Sequence, residues 1–315
     1  MTANPTHPGS AAQHTQEPAC PRCGYDQSGE VASWADRCPV NGTCPECGTE
    51  FPWADLFDPV RRDLPWFAEH APTFRAALAR SLPTLTRAML PWRFWRQVGI
   101  RPATRSRRLA LWTLSWVAGG HLLASPLVGV LLAAGARVGD PTLEGLLRLR
   151  HATTAGRFAM DMATGVTWPF YALPTGGWRV DGDAQSVPPY LSAVWIGVSW
   201  MLLLSILPTT RRLAKLRAAH LWRALLVQVA LIMVFVQVVR VLGAAYQHFW
   251  IEQIEAAGVV IVMGTVAWSV VWWGCAIRLG WSIRSWLLLV LGFIVAFLSM
   301  PLGVGAAVEL LSLFS

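Results

Sequence analysis

Charge is scarce in this chain, and lysine is almost missing. Only 14% of the 315 residues are charged while 54% are hydrophobic, against about 25% charged in a soluble domain. That balance argues for a membrane protein. Lys215 is the sole lysine among 26 basic residues, so arginine is the default cation and any single arginine is weak evidence of anion recognition. Catalytic signatures are missing as well. No HExxH, GxSxG or phosphate-cradling glycine loop occurs, and no pair of intramembrane carboxylates, which argues against known hydrolases and ion-coupled pumps. No catalytic residue is assigned; enzyme status stays open, with a non-catalytic role the stronger reading. The N-terminus carries no basic segment followed by an apolar one, so the expectation is that the cysteines stay in a reducing compartment.

What is present is concentrated. Five of the six cysteines fall between Cys20 and Cys47. CPRCG (20–24) and CPECG (44–48) are near-copies of one turn, giving C-x2-C-x20-C-x2-C, a spacing that reads as a four-cysteine zinc site. A C-x2-C turn aims two thiolates at one cation, and its trailing glycine can take the positive φ that turns backbone N–H groups toward sulfur. Cys20, Cys23, Cys44 and Cys47 are therefore the expected metal ligands, in a segment too small to fold on its core alone. Cys38 in RCPVNGTCPEC is read as a bystander, with competition against Cys44 as the alternative. His7 and His14 match no ligand spacing.

These turns resemble zinc-ribbon knuckles, and CPRCGYD is also similar to the first knuckle of rubredoxins, where four such cysteines hold iron for electron transfer. Rubredoxins have a longer stretch between knuckles and several core aromatics, whereas Tyr25 and Trp34 alone lie between the knuckles here. One structural zinc is expected, with iron the less favoured metal.

The chain divides by composition into a disordered tail (1–18), a zinc ribbon (19–54), a neck (55–108) and a transmembrane domain (109–315). Residues 1–50 hold two basic and six acidic groups, a net of −4, and residues 51–108 hold eleven arginines and four acids, a net of +7. The neck mixes arginine with tryptophan and leucine. Phe74, Leu78, Leu82 and Leu85 recur at helical steps with Pro83 interrupting them, which suggests an amphipathic segment at the membrane interface. A cytosolic helical pair is the alternative. Nucleic acid is not an expected partner, because the adjoining ribbon is acidic.

Five apolar runs follow, at about 109–134, 190–207, 221–245, 256–277 and 286–311, each long enough for a hydrocarbon core that needs about 20 residues. The fold class expected is an all-α polytopic membrane protein with a small N-terminal β-rich zinc ribbon. The loop 209–223 carries Arg211, Arg212, Lys215, Arg217 and Arg223 and no acid. With Arg101, Arg105, Arg107 and Arg108 before the first run and Arg278 and Arg284 after the fourth, it places the N-terminus in the cytosol and the C-terminus outside. Segment 158–173 is expected to lie on the outer interface or to be re-entrant. Within the runs, His121 has no visible proton-relay partner, and Gln237 and Arg240 share a helix face suited to a neighbouring helix. Trp112, Trp195, Trp222, Trp250, Trp281 and Trp286 are read as interfacial anchors.

CPRCGYDQSG, CPECGTEF and LPWRFWRQV, taken together, resemble uncharacterised bacterial membrane proteins of planctomycete type that join a CxxCGYD zinc ribbon to a Trp/Arg neck and several spans. The resemblance covers head, neck and first span, and implies an architecture in the bacterial cytoplasmic membrane rather than an activity. The five-span, N-cytosolic plan is also similar in topology to the Yip family of membrane-trafficking proteins. The leading expectation is a bilayer-anchored scaffold whose ribbon binds a cytosolic or membrane protein. A small-molecule permease or membrane enzyme with a regulatory ribbon is the first alternative, and rubredoxin-like electron transfer the second. Charge complementarity further predicts that the acidic ribbon docks on or near the basic loop 209–223.

Overall fold

The structure, a computed structural model, describes residues 18–34, 38–135, 170–172, 178–180, 187–206, 216–246, 251–283, 286–294 and 297–298. Nearly all of the expected tail, most of segment 158–173, Arg211, Arg212, Lys215, Arg284 and the second half of the fifth run lie outside these residues.

The ribbon is built from two knuckles, a short helix α1 (Ser28–Ala32) and a hairpin in which β1 (Asn41–Thr43) pairs antiparallel with β2 (Glu50–Pro52), Gly42 opposite Phe51. Its core is small: Cys20, Cys44, Phe51 and Trp53 are buried, with Val31, Trp34 and Leu56 packed around them. Trp53 holds the cluster together, edge-on to Trp34 at 4.7 Å and to Phe51 at 5.1 Å. The aromatics missing between the knuckles are thus supplied from beyond the second one, by β2 and by α2 (Trp53–Phe57).

The neck folds into three short helices, α3 (Phe74–Ala79), α4 (Ser81–Ala88) and α5 (Pro91–Val98). Thr73 caps α3 by accepting a hydrogen bond from the Ala76 N–H. The break between α3 and α4 falls at Arg80, which leaves Pro83 in the first turn of α4, where a missing N–H is tolerated. The apolar stripe read from sequence divides. Leu85 is buried, whereas Phe74, Leu78 and Leu82 are exposed. The inward face of the neck is instead Phe67, Ala68, Ala77, Leu85, Ala88, Phe94, Trp95 and Val98, continuous with the core of the long helices. In α5 the buried positions Pro91, Phe94, Trp95 and Val98 follow helical spacing, and Phe94 and Trp95 each lie 5.0 Å from Trp272.

The long helices are α6 (Ser106–Gly135), α7 (Val187–Ile206), α8 (Ala218–Tyr246) and α9 (Ile251–Cys275), with further helix over 286–294. The protein is therefore mostly helical. Among the described residues one helix, Ala218–Leu242 within α8, is long and apolar enough to cross a membrane, and a shorter apolar helix covers Val194–Ile206. α8 packs against α6, α7 and α9. An unforeseen hairpin pairs β3 (Phe170–Ala172), at the end of the segment expected to be interfacial or re-entrant, with β4 (Trp178–Val180) beyond it.

Tryptophan has two roles here. Trp222 and Trp286 are exposed, as anchors would be, but Trp112 and Trp281 are fully buried and belong to the core with Trp95, Trp200, Trp272 and Trp273. Several indole N–H groups tie elements together: Trp112 and Trp116 donate to the Ser81 hydroxyl, Trp272 to the Ala224 carbonyl and Trp273 to the Gln228 amide oxygen. His121 also has a partner invisible from spacing. Arg240 of α8 lies 3.3 Å from its Nδ1 while donating to the Gln237 side chain, so the shared face of Gln237 and Arg240 meets α6.

Neck and bundle are joined by a buried polar seam. The Arg223 guanidinium binds Glu69 at 2.6 Å, with both side chains almost completely buried, and donates to the carbonyls of Gly99, Pro102 and Ala103. The second Glu69 oxygen accepts from the Arg105 N–H. Next to it, His70 accepts at Nδ1 from the Leu64 N–H and donates from Nε2 to the Ala103 carbonyl. Burial, reinforced by the Arg223 charge, pushes its pKa down from 6.5 to about 3, so the folded protein holds it neutral although Asp63 lies 4.0 Å away. The unfolded chain takes up this proton first. Stability is thus full above about pH 6.5 and falls as pH drops toward 3, by on the order of 3 kcal/mol at about pH 4. Denaturation midpoints measured between pH 7 and 4 should show this slope, and His70→Gln should make it shallower.

Candidate metal centre

Each knuckle closes on itself. The Gly24 N–H donates to the Cys20 carbonyl and the Cys20 N–H to the Tyr25 carbonyl; the Gly48 N–H donates to Cys44 and the Cys44 N–H to Thr49 in the same pattern. Both trailing glycines take positive φ, +79° and +66°, a conformation that side chains with a Cβ rarely adopt. The two turns are related as near-copies in space as well as in sequence.

The turns bring all four expected residues together. Cys20, Cys23, Cys44 and Cys47 place their sulfurs within 4.8 Å of one another. Two pairs run between knuckles, Cys20 to Cys47 at 3.6 Å and Cys23 to Cys44 at 3.7 Å. A zinc ion with Zn–S bonds of about 2.3 Å at tetrahedral angles separates its sulfurs by about 3.8 Å, whereas a disulfide brings them to about 2.05 Å. The thiols are free, and their spacing suits four ligands around one cation. The geometry is that of a closed S4 site with no open position for a substrate.

Cys38 takes no part. It is exposed, and its thiol donates to its neighbour's carbonyl, that of Pro39. Burial raises the Cys20 and Cys23 thiols above their ordinary range. Cys47 shares that burial, yet hydrogen bonding with the Thr49 hydroxyl and backbone brings it below. A bound cation is what would ionise the two raised thiols.

The cluster is not a free head on a tether. The Arg217 N–H donates to the Arg22 carbonyl at 3.0 Å, and His220 Nε2 donates to the Pro21 carbonyl at 2.9 Å, so the first knuckle is bonded to the start of α8. A Cβ on Gly24 would meet the Arg217 side chain at 3.2 Å, while one on Gly48 would meet nothing within 4 Å. The first knuckle faces the bundle and the second faces away. Docking was expected from net charge at the loop 209–223; at its described end the Arg217 N–H and His220 bond two backbone carbonyls of the knuckle, and the Arg217 side chain packs over Gly24. His220 was missed in the sequence because its role depends on a carbonyl 199 residues earlier.

Comparison with protein families, curated proteins and solved structures finds no match to the chain. The reading of the site rests on its own geometry.

Proposed function

We propose that this is a five-span protein of the bacterial cytoplasmic membrane, N-terminus cytosolic, whose structural zinc ribbon is a binding platform for a protein partner. The observation that carries the reading is the asymmetry of the ribbon: one knuckle is bonded to α8 through Arg22 and Pro21, and the other has open space around Gly48. Exposed apolar residues sit on the same small domain, Val40 at 80% and Phe57 at 52%, against an interior already filled by Trp53 and Phe51. A closed S4 site supports a structural metal held by Cys20, Cys23, Cys44 and Cys47. Zinc supplies folding energy there rather than chemistry. The five-span plan draws support from α8 and from the helices over the other apolar runs. Contacts of the neck with Trp272 and Trp281 and of the start of α8 with the first knuckle support a reading in which ribbon, neck and the start of α8 share a cytosolic face. The family proposed is the ribbon-plus-spans group of bacterial membrane proteins.

The test is photocrosslinking in intact cells from a reactive residue at position 40, compared with one at exposed Trp92 in the neck. A discrete protein adduct at position 40 that disappears when Cys47 is replaced by Ser is expected. Adducts to lipid alone would count against the platform. The permease alternative gains from the polar cluster of His121, Gln237 and Arg240 between α6 and α8, and uptake of a solute by reconstituted liposomes would favour it. A purified protein coloured by iron would favour electron transfer.

A further inference from the structure

Between the ribbon, the neck and the start of α8 lies a crevice of about 430 Å³, and four arginines line it: Arg62, Arg101, Arg105 and Arg217, with one carboxylate, Asp55. The walls come from three parts of the chain. Pro21 and Asp55 belong to the ribbon and α2, residues 101–105 lead into α6, and Arg217 precedes α8.

The arginines are not equivalent. Arg62 is paired with Asp55, and Arg105 with Asp63 at 2.8 Å. Arg101 and Arg217 have no carboxylate among the described residues; the Arg217 side chain packs over Gly24 and only its backbone bonds the knuckle. Folding therefore brings two uncompensated guanidinium groups to one cavity whose lining carries a net of three positive charges. Such a cluster is unfavourable by itself and is relieved by an anion. In an arginine-rich chain one such residue means little, but four converging on one cavity from three separate stretches of the sequence are another matter.

Two further features narrow the anion. α6, thirty residues long, begins at Ser106, directly after the lining residues Thr104 and Arg105, so the positive end of its dipole starts at the edge of the crevice. Guanidinium forks, a hydroxyl and a helix N-terminus are together suited to tetrahedral oxyanions. The volume fits a phosphorylated small molecule or a phospholipid headgroup rather than a polymer. We infer that this crevice is a phosphate-binding site, clamped between the ribbon and the bundle. Its two sources, a soluble phosphate and an anionic lipid headgroup, share that chemistry. A bound phosphate would bridge Arg217 and Arg101, so its occupancy would hold the first knuckle against the neck. This inference is independent of whether the ribbon recruits a protein.

The test uses the full chain with its zinc content verified, reconstituted in nanodiscs of neutral phosphatidylcholine. Inorganic phosphate is titrated calorimetrically, and retention of phosphatidylglycerol is followed in parallel by native mass spectrometry. One-to-one binding of either probe is expected; phosphate binding identifies a soluble ligand, and retention of the lipid alone identifies a headgroup. Arg101→Gln with Arg217→Gln should weaken binding by about tenfold or more, as loss of charged hydrogen bonds does, while Arg93→Gln on the exposed side of α5 should not. Asp55→Asn frees Arg62 and should tighten binding several-fold, which keeps the idea testable if the double variant misfolds. Failure of both probes to bind overturns the inference, as does equal binding by wild type and the double variant with zinc retained, or an Asp55→Asn variant that binds no more tightly.

Discussion

Cys44→Ser is expected to release the metal and unfold residues 19–57 while the long helices remain. Cys44 is 1% exposed and forms, with Cys20, Phe51 and Trp53, the buried apolar core of the ribbon among the described residues. So few buried side chains cannot offset the entropy of ordering almost forty residues. Structural zinc binding contributes on the order of 10–16 kcal/mol in isolated ribbons of this size, so losing one ligand removes most of what folds the domain. Elemental analysis should fall from one metal per chain to none, and limited proteolysis should open the segment around Trp34. The exposed Cys38 provides the control: Cys38→Ser should keep both metal and protection. Retention of one metal by Cys44→Ser would mean that Cys38 has moved in as a ligand, and the double variant would expose it. Unfolding also frees Arg217 and His220 from the first knuckle, so the start of α8 should become accessible to hydrogen exchange with the helix itself intact.

Glu69→Ala should destabilise the whole protein by about 3–5 kcal/mol, the typical cost of breaking a buried ion pair from one side. The variant strands the Arg223 charge in a site about 1% exposed and leaves the Arg105 N–H without its acceptor. Glu69→Gln should cost less, since it keeps an acceptor and Arg223 retains the carbonyls of Pro102 and Ala103. Replacing both Glu69 and Arg223 by Met should recover much of the loss, because desolvating the pair costs nearly as much as its attraction returns. Thermal denaturation of wild type and the three variants in one detergent measures the effect. Equal stability of Glu69→Ala and wild type would show that the seam contributes nothing to joining neck and bundle.

How far these sites were readable differs with the kind of contact. The two C-P-x-C-G turns are local, so their ligands, their glycines and the cluster they form followed from spacing alone. The stripe of Pro91, Phe94, Trp95 and Val98 in α5 was equally local, and its helical phase is present in the phrase PWRFWRQV. The stripe of Phe74, Leu78 and Leu82 had the same periodicity, but its residues are exposed. Periodicity specifies that residues share a face and leaves open what that face meets. Tryptophans near helix ends were similarly ambiguous, because a side chain apolar over most of its surface suits an interface or a core. Trp222 took the first and Trp281 the second.

The sequence by itself determined the four-cysteine cluster, the helical class and the order of head, neck and apolar runs, because each depends on residues close together in the chain. Only the tertiary structure decided which knuckle meets the bundle, that Glu69 and Arg223 pair across 154 residues, that His121 meets Arg240 and that Arg62, Arg101, Arg105 and Arg217 share one crevice. Those groups lie on different elements. Their juxtaposition comes from how the helices pack, and a buried charge becomes acceptable only when that packing delivers its partner.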